Sequence, residues 1–208
     1  MDRPTEHVET ERKYEVDLGF VLPDLSGVAD GVTATAPEVE LLAANYYDTA
    51  DLRLANAKIT LRRRTGGHDA GWHLKLPVSA GTRRELQVPL EEGDTIVPSQ
   101  LTSLVSEWIR GEPLQVVAVL ETHRTVRRLI GADGENLAEV ADDEVTGRVP
   151  GRQEPAAWRE LEVELVTGGP EILAAAGSRL TSAGARPSSS ASKLSRLLGT
   201  DGSDVGRA

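Results

Sequence analysis

The sequence contains no cysteine, one methionine and one phenylalanine, and aromatics make up only 3% of its 208 residues. Without cysteine there are no disulfides, zinc–thiolate sites, iron–sulfur clusters or thiol nucleophiles. A reducing, cytoplasmic compartment is the expectation. No apolar run approaches the roughly 20 residues that cross a bilayer, so no membrane partner is expected. Residues 1–6 lack the basic region and apolar stretch of a secretory leader. No Gly-rich phosphate loop of the Walker type is present. Acids outnumber bases 33 to 23, a net charge of −10. That overall field repels nucleic acid, and no specific nucleic-acid binding is expected. The length fits one ordinary domain, or at most two small ones, and suffices to bury a core.

What is abundant is alternation. Across residues 7–20, Glu9, Glu11, Lys13 and Glu15 take every second position, while Val8, Thr10, Tyr14 and Val16 take most of the others. Strand side chains alternate between faces, so this reads as a strand with one charged face. Glu160, Glu162 and Glu164 alternate with Leu161, Val163 and Leu165 in the same way. Further strands are expected over 38–48, 57–64, 71–77, 83–90, 115–130 and 137–145. Residues 65–71 and the run Gly131-Ala132-Asp133-Gly134 carry hairpin-loop chemistry.

Helices are few. Leu101, Leu104, Val105, Trp108 and Ile109 sit at helical spacing between Pro98 and Gly111, which predicts one core-packing helix over 99–110. Others are expected over 171–182 and 192–198, with short helical turns within 24–31 and 49–55. About eight hairpin-connected strands with a few flanking helices define an α+β fold, an antiparallel closed barrel. The barrel domain is expected to cover residues 1–198, with 199–208 a flexible tail or linker.

A single charged strand face is ordinarily a solvated face. Here the pattern recurs on nearly every strand. Acids gather on the first and last strands and bases on the middle ones: Arg62, Arg64, Lys75, Arg83 and Arg124. If the sheet closes, the charged faces meet inside and the apolar alternates face outward under helices. Clustered carboxylates repel unless a cation neutralises them, and an all-oxygen set suits Mg²⁺, Mn²⁺ or Ca²⁺. Opposed guanidinium and ammonium groups suit phosphate. Metal on one wall and bases on the other is what phosphoryl transfer needs.

These residues resemble a known family. Glu9-Thr10-Glu11-Arg12-Lys13 matches the Glu-x-Glu-x-Lys signature of the CYTH superfamily, the triphosphate tunnel metalloenzymes. The blocks Tyr46–Thr49, Leu61–Arg64, Trp72–Pro77, Arg83-Arg84-Glu85, Arg124, Asp142, Glu160–Glu164 and Ser192-Lys193-Leu194 follow in family order. The resemblance spans residues 6 to about 198. It implies an eight-stranded tunnel that holds a triphosphate with Mg²⁺ or Mn²⁺. It also implies one of several activities: inorganic triphosphatase, thiamine triphosphatase, RNA triphosphatase or class IV adenylate cyclase. The chain is similar to bacterial CYTH modules that often precede an α-helical, histidine-rich CHAD domain, so such a domain in a longer parent protein is one expectation. A monomer or homodimer is another.

Carried over by position, the resemblance implies metal binding by Glu9, Glu11, Asp142, Glu162 and Glu164. Asp143 has the opposite strand parity, and Asp142 is favoured by its place after Val140. Phosphate binding falls to Lys13, Arg62, Arg64, Lys75, Arg83, Arg124 and Lys193, with Arg83 taken over Arg84 because it shares parity with Glu85 and Gln87. Lys13, Glu11 and Glu164 are the expected catalytic groups. Asp48 reads as a turn or capping residue, His68 and His123 as surface residues, and the serines before Lys193 as a hinge. The scarcity of aromatics to stack a base favours inorganic tripolyphosphate as substrate over thiamine triphosphate or a nucleoside triphosphate. Adenylate cyclase and a non-catalytic polyphosphate-binding module are the alternatives.

Overall fold

A strand that is charged on one face and apolar on the other must find cover for both. The chain solves this by curling its sheet into a ring, so that the two faces become an inside and an outside. The structure, a computed structural model, describes residues 4–91 and 95–200. The chain opens with β1 (Thr5–Val16), β2 (Thr33–Ala34), β3 (Glu38–Asp48) and α1 (Arg53–Asn56). β4 (Thr60–Thr65), β5 (Gly71–Ser79) and β6 (Thr82–Pro89) form a meander, followed by α2 (Ser99–Leu104) and α3 (Ser106–Ile109). β7 (Gln115–Ile130), β8 (Asn136–Arg148) and β9 (Ala156–Leu165) form a second meander. α4 (Pro170–Ser182), β10 (Arg186–Pro187) and α5 (Lys193–Leu198) complete the fold.

Eight long antiparallel strands run β1-β6-β5-β4-β3-β7-β8-β9, and β9 pairs back onto β1. β1 serves both seams. Its residues 5–10 pair with β6 and its residues 11–16 with β9. The two-residue strands β2 and β10 attach to β7 and β1. This is the closed eight-stranded barrel with flanking helices that the alternation predicts.

The apolar alternates pack outward. Tyr14, Val16, Val140, Leu161 and Val163 lie under Ile172, Leu173, Ala176 and Leu180 of α4. On another side, Leu61, Trp72, Leu74 and Leu86 lie under Leu54, Leu101, Val105 and Ile109 from α1, α2 and α3. A third cluster stands inside the barrel. Ala44, Tyr46, Leu120, Val145 and Trp158 receive Leu194 and Leu197 from α5, which stoppers one end. Burying two leucines contributes about 3–6 kcal/mol, enough to hold a six-residue helix that would not persist alone. Gly147 makes room for it: a Cβ there would stand 2.9 Å from both Leu197 methyls.

Several boundaries differ from expectation. The helix over 99–110 is two helices, broken at Val105 (φ −110°, ψ 9°), whose side chain is fully buried. The segment 24–31 forms turns and bends, not helix, with Gly27 and Gly31 at positive φ. β1 stops at Val16, where a turn follows with the Phe20 N–H donating to the Asp17 carbonyl. β4 starts at Thr60 because Lys58 (φ 60°) and the Ile59 N–H, bonded to the Leu54 carbonyl, still belong to the end of α1. The serine run before α5 is tied down: the Ser188 N–H donates to the Lys13 carbonyl, and Ser190 N–H to Ser188 Oγ. Of the expected tail, Asp201 to Ala208 lies outside the described residues.

Candidate active site

The inward faces enclose a cavity of about 410 Å³ lined mostly by charged and polar side chains. Strand register sets its two walls. Across the β1–β9 seam, Glu11 stands opposite Glu164 and Lys13 opposite Glu162. Arg62 stands opposite His73 across β4–β5, and Lys75 opposite Glu85 across β5–β6. Of the residues expected in the site, Glu9, Glu11, Lys13, Arg62, Arg64, Lys75, Arg83, Arg124, Glu162, Glu164 and Lys193 all line this one cavity.

Asp142 does not. It is cross-strand from Leu161, which packs in the outer core, so its side chain points outward. There it forms a two-pronged ion pair with Arg159, with N–O distances of 2.8 Å. Asp143 takes the inward place. It is fully buried and accepts from Arg124 at 2.7 and 2.8 Å and from Lys193 at 2.8 Å. Arg84, set aside in favour of Arg83, also points outward and pairs with Glu6.

One end of the tunnel is a charge-balanced cluster. Lys193 Nζ lies 2.8 Å from Asp143, 2.8 Å from Glu160 and 2.7 Å from Glu162. Arg124 adds a bond to Glu162 at 2.8 Å, and Lys13 bridges Glu162 and Glu11. Burial alone would raise the Glu162 carboxyl, but Lys13, Lys193 and Arg124 outweigh it and hold it well below the carboxylate range. Burial would likewise lower the Lys13 ammonium, yet Glu11 and Glu162 hold it above its usual value. Ligand oxygens of Asp143, Glu160 and Glu162 come within 4.8 Å of one another. Lys193 already serves that trio as a cation.

The opposite imbalance surrounds Glu164. Among the described residues no base lies within ion-pair distance of it, while Glu9 and Glu11 share its wall. Burial and then repulsion from Glu9 push its carboxyl up to about 8, with smaller contributions from Glu11 and Glu162. A divalent cation among Glu9, Glu11, Glu162 and Glu164 would remove that repulsion. The donor set, all carboxylate oxygen, fits Mg²⁺ or Mn²⁺.

The basic wall contains free donor capacity. Among the described residues, Arg62 bonds only the Tyr46 hydroxyl, at 3.3 Å, and its Nε is buried without a partner. Arg83 has no carboxylate within ion-pair distance among the described residues. Lys75 is held between Glu9 and Glu85.

Residues that alternation alone did not single out complete the wall. Glu85 Oε1 lies 2.6 Å from His73 Nδ1, and Glu85 pairs with His7 (3.2 Å) and Lys75 (3.3 Å). Burial opposes its charge, but Lys75 and the two histidines carry it well below the carboxylate range. His73 Nε2 donates to the Asp69 carbonyl at 2.9 Å. His68, expected on the surface, is exposed but stands at the cavity rim, bonded to Glu40. The parity of Glu85 with Arg83 and Gln87 was the available signal for it. Asp48 lies outside the tunnel as a buried turn residue, accepting the N–H groups of Thr49, Leu54 and Ala55. Among the described residues, no helix is long and apolar enough to cross a membrane.

Known proteins share this architecture. A candidate adenylate cyclase from Bacillus halodurans superposes with a TM-score of 0.64 at 17% identity, over 93% of this chain and 98% of that one. A candidate adenylyl cyclase from Hippeastrum, described as having a dominant triphosphatase activity, superposes with a TM-score of 0.58 at 17% identity, over 94% and 96%. At that identity the likeness is one of fold. Two uncharacterised proteins from strains of Mycobacterium tuberculosis are 41% identical over 211 residues, covering 95% of this chain. The chain spans 41% of their length. Residues 7–198 match the CYTH domain profile, and the chain belongs to the CYTH family.

Proposed function

We propose that this domain is a metal-dependent triphosphatase whose preferred substrate is inorganic tripolyphosphate. The observation that carries the reading is one closed tunnel in which Glu164 stands beside other carboxylates with no basic partner among the described residues, facing a basic wall where Arg62 and Arg83 keep donors unpaired. Glu9, Glu11, Glu162 and Glu164 would hold Mg²⁺ or Mn²⁺. When bound, the cation supplies Lewis-acid polarisation and neutralises phosphate charge. Arg62, Arg64, Lys75, Arg83, Arg124 and Lys193 would hold the three phosphate groups and stabilise charge on the leaving diphosphate. Lys13, set between Glu11 and Glu162, would contact the phosphate undergoing attack. No side chain need form a covalent intermediate.

The choice of inorganic substrate rests on the lining. Tyr46 is the sole Tyr, Trp or Phe among the cavity residues, and it is buried against the α5 stopper with its hydroxyl on Arg62. The rim offers Glu40, His68, Asp69 and Gln87 instead of a stacking platform for a nucleobase or thiazolium. The triphosphatase activity named for the Hippeastrum protein supports hydrolysis of a triphosphate over cyclisation. A cytoplasmic location, a monomer or homodimer, and a CHAD domain in a longer parent protein belong to the same proposal.

The test is phosphate release from tripolyphosphate, ATP, thiamine triphosphate and long-chain polyphosphate, each with Mg²⁺, Mn²⁺ or EDTA, alongside an assay for cyclic AMP. Metal-dependent release, fastest from tripolyphosphate, is the expected result. Cyclic AMP from ATP would replace this reading with a cyclase. Polyphosphate binding without turnover would replace it with a binding module.

A further inference from the structure

Arg64 is buried in the basic wall, and it is not empty-handed. Its Nη1 donates to Asp69 Oδ2 at 2.5 Å, the one carboxylate within ion-pair distance of it among the described residues. Asp69 comes from the β4–β5 hairpin loop at the rim. The loop's path is fixed. Gly66 (φ 78°) and Gly67 (φ 70°) shape it, and a Cβ on Gly66 would fall 2.0 Å from the Leu41 carbonyl. The Asp69 carbonyl accepts from His73 Nε2 at 2.9 Å and from Gln87 Nε2 at 3.3 Å. The backbone of Asp69 is therefore held at several points, while its side chain is held at one oxygen only. Its second oxygen, Oδ1, is buried with no hydrogen-bond partner among the described residues. A carboxylate satisfied at one oxygen only is poorly anchored, and buried unpaired oxygens are costly.

We propose that Asp69 is a built-in competitor for the phosphate site: its carboxylate occupies Arg64 when no ligand is bound and rotates away when a phosphate oxygen arrives. The inference rests on the reading of the tunnel as a triphosphate site and adds to it a residue that sets affinity. The hairpin backbone stays on His73 and Gln87 throughout, so the change is a side-chain rotation and not a lid closure. A ligand that must displace an internal anion binds more weakly by the fraction of molecules in which the site is free. A ligand that does not reach Arg64 is unaffected.

The experiment compares wild type, Asp69→Asn, Arg64→Ala and the double variant. Tripolyphosphate affinity is measured by titration calorimetry in EDTA at fixed ionic strength, and KM by initial rates in Mg²⁺, with circular dichroism as the check on folding. Asp69→Asn is expected to tighten binding and lower KM by about fivefold, the size of a partly exposed ion pair. In the Arg64→Ala background the same substitution is expected to change neither. Unchanged or weaker binding by Asp69→Asn overturns the competitor role while leaving the phosphate site intact. Tightening that persists without Arg64 also overturns it. Absence of tripolyphosphate binding in every folded variant, wild type included, overturns the phosphate reading itself.

Discussion

Lys193 Nζ lies 2.8 Å from the carboxylate of Asp143, a side chain with no solvent exposure at all. The lysine enters from the first turn of α5, where Ser192 caps the helix by accepting the Ser195 N–H and Ser195 Oγ accepts the Ser192 N–H. A cap on a stopper thus places an ammonium among three acids.

Lys193→Met should therefore cost stability as well as activity. Removing one partner of a buried ionic cluster typically costs about 3–5 kcal/mol, which for a domain of this size lowers Tm by roughly 10 °C. Thermal denaturation followed by circular dichroism checks this. Millimolar Mg²⁺ should recover part of the loss, because Asp143, Glu160 and Glu162 then hold a cation of another kind. An unchanged Tm would mean that the three acids do not need this lysine.

Glu164 sets a pH dependence. Its folded carboxyl is raised to about 8 from 4.5. Between those values the folded protein keeps a proton that the unfolded chain has released, so stability falls as pH rises. The contribution is complete below 4.5 and lost as pH passes 8. At pH 9 Glu164→Gln should be more stable than wild type by about 1–3 kcal/mol, and at pH 4 the two should agree. A divalent cation at pH 9 should stabilise the wild type more than the variant. Parallel Tm–pH curves would contradict this.

Arg62 and Arg124 should separate binding from folding. Arg124 neutralises Asp143 and Glu162, so Arg124→Ala should lower both Tm and turnover. Arg62 has no carboxylate within ion-pair distance among the described residues, so Arg62→Ala should leave Tm nearly unchanged. Its kcat/KM for tripolyphosphate should fall by roughly 10²-fold, the usual effect of removing one charge-stabilising donor. Steady-state kinetics beside melting curves give the comparison.

Gly147→Val tests the seating of α5. The added methyls would enter the space of Leu197 and Trp158. Overpacking of this kind costs about 1–3 kcal/mol. Faster proteolysis near the Ser188–Ser190 run should accompany the lower Tm.

Much of this molecule is legible in its alternation. Glu9, Glu11 and Lys13 on one strand, and Glu162 and Glu164 on another, share a face because strand geometry leaves no other choice. The failure at Asp142 has a physical reason. Parity can be read from polarity only where one face is apolar. On β8 the outer positions run from Val140 to Asp142 and Glu144, since α4 covers only the first part of that face. The inner positions there include Ala141 and Val145, so both faces mix. Only the pairing of Asp143 with Glu160 decides between the two acids, and register is a property of two strands. The stopper was hidden for a similar reason. The leucines of residues 193–198 look like those of any short amphipathic helix, and nothing local says that they face the inside of a barrel. Asp69 sits in a loop whose glycines announce a turn but not where its acid will point.

The stopper has a consequence for long substrates. A tube open at both ends could let a linear polymer slide through and be cut anywhere along its length. With Leu194 and Leu197 filling one end, a polyphosphate bound as proposed would enter by its tip and advance toward Lys193. Such a pocket would count phosphates from the terminus inward. On long polyphosphate it would act as an end-trimmer, and it would pass over any chain whose ends are blocked.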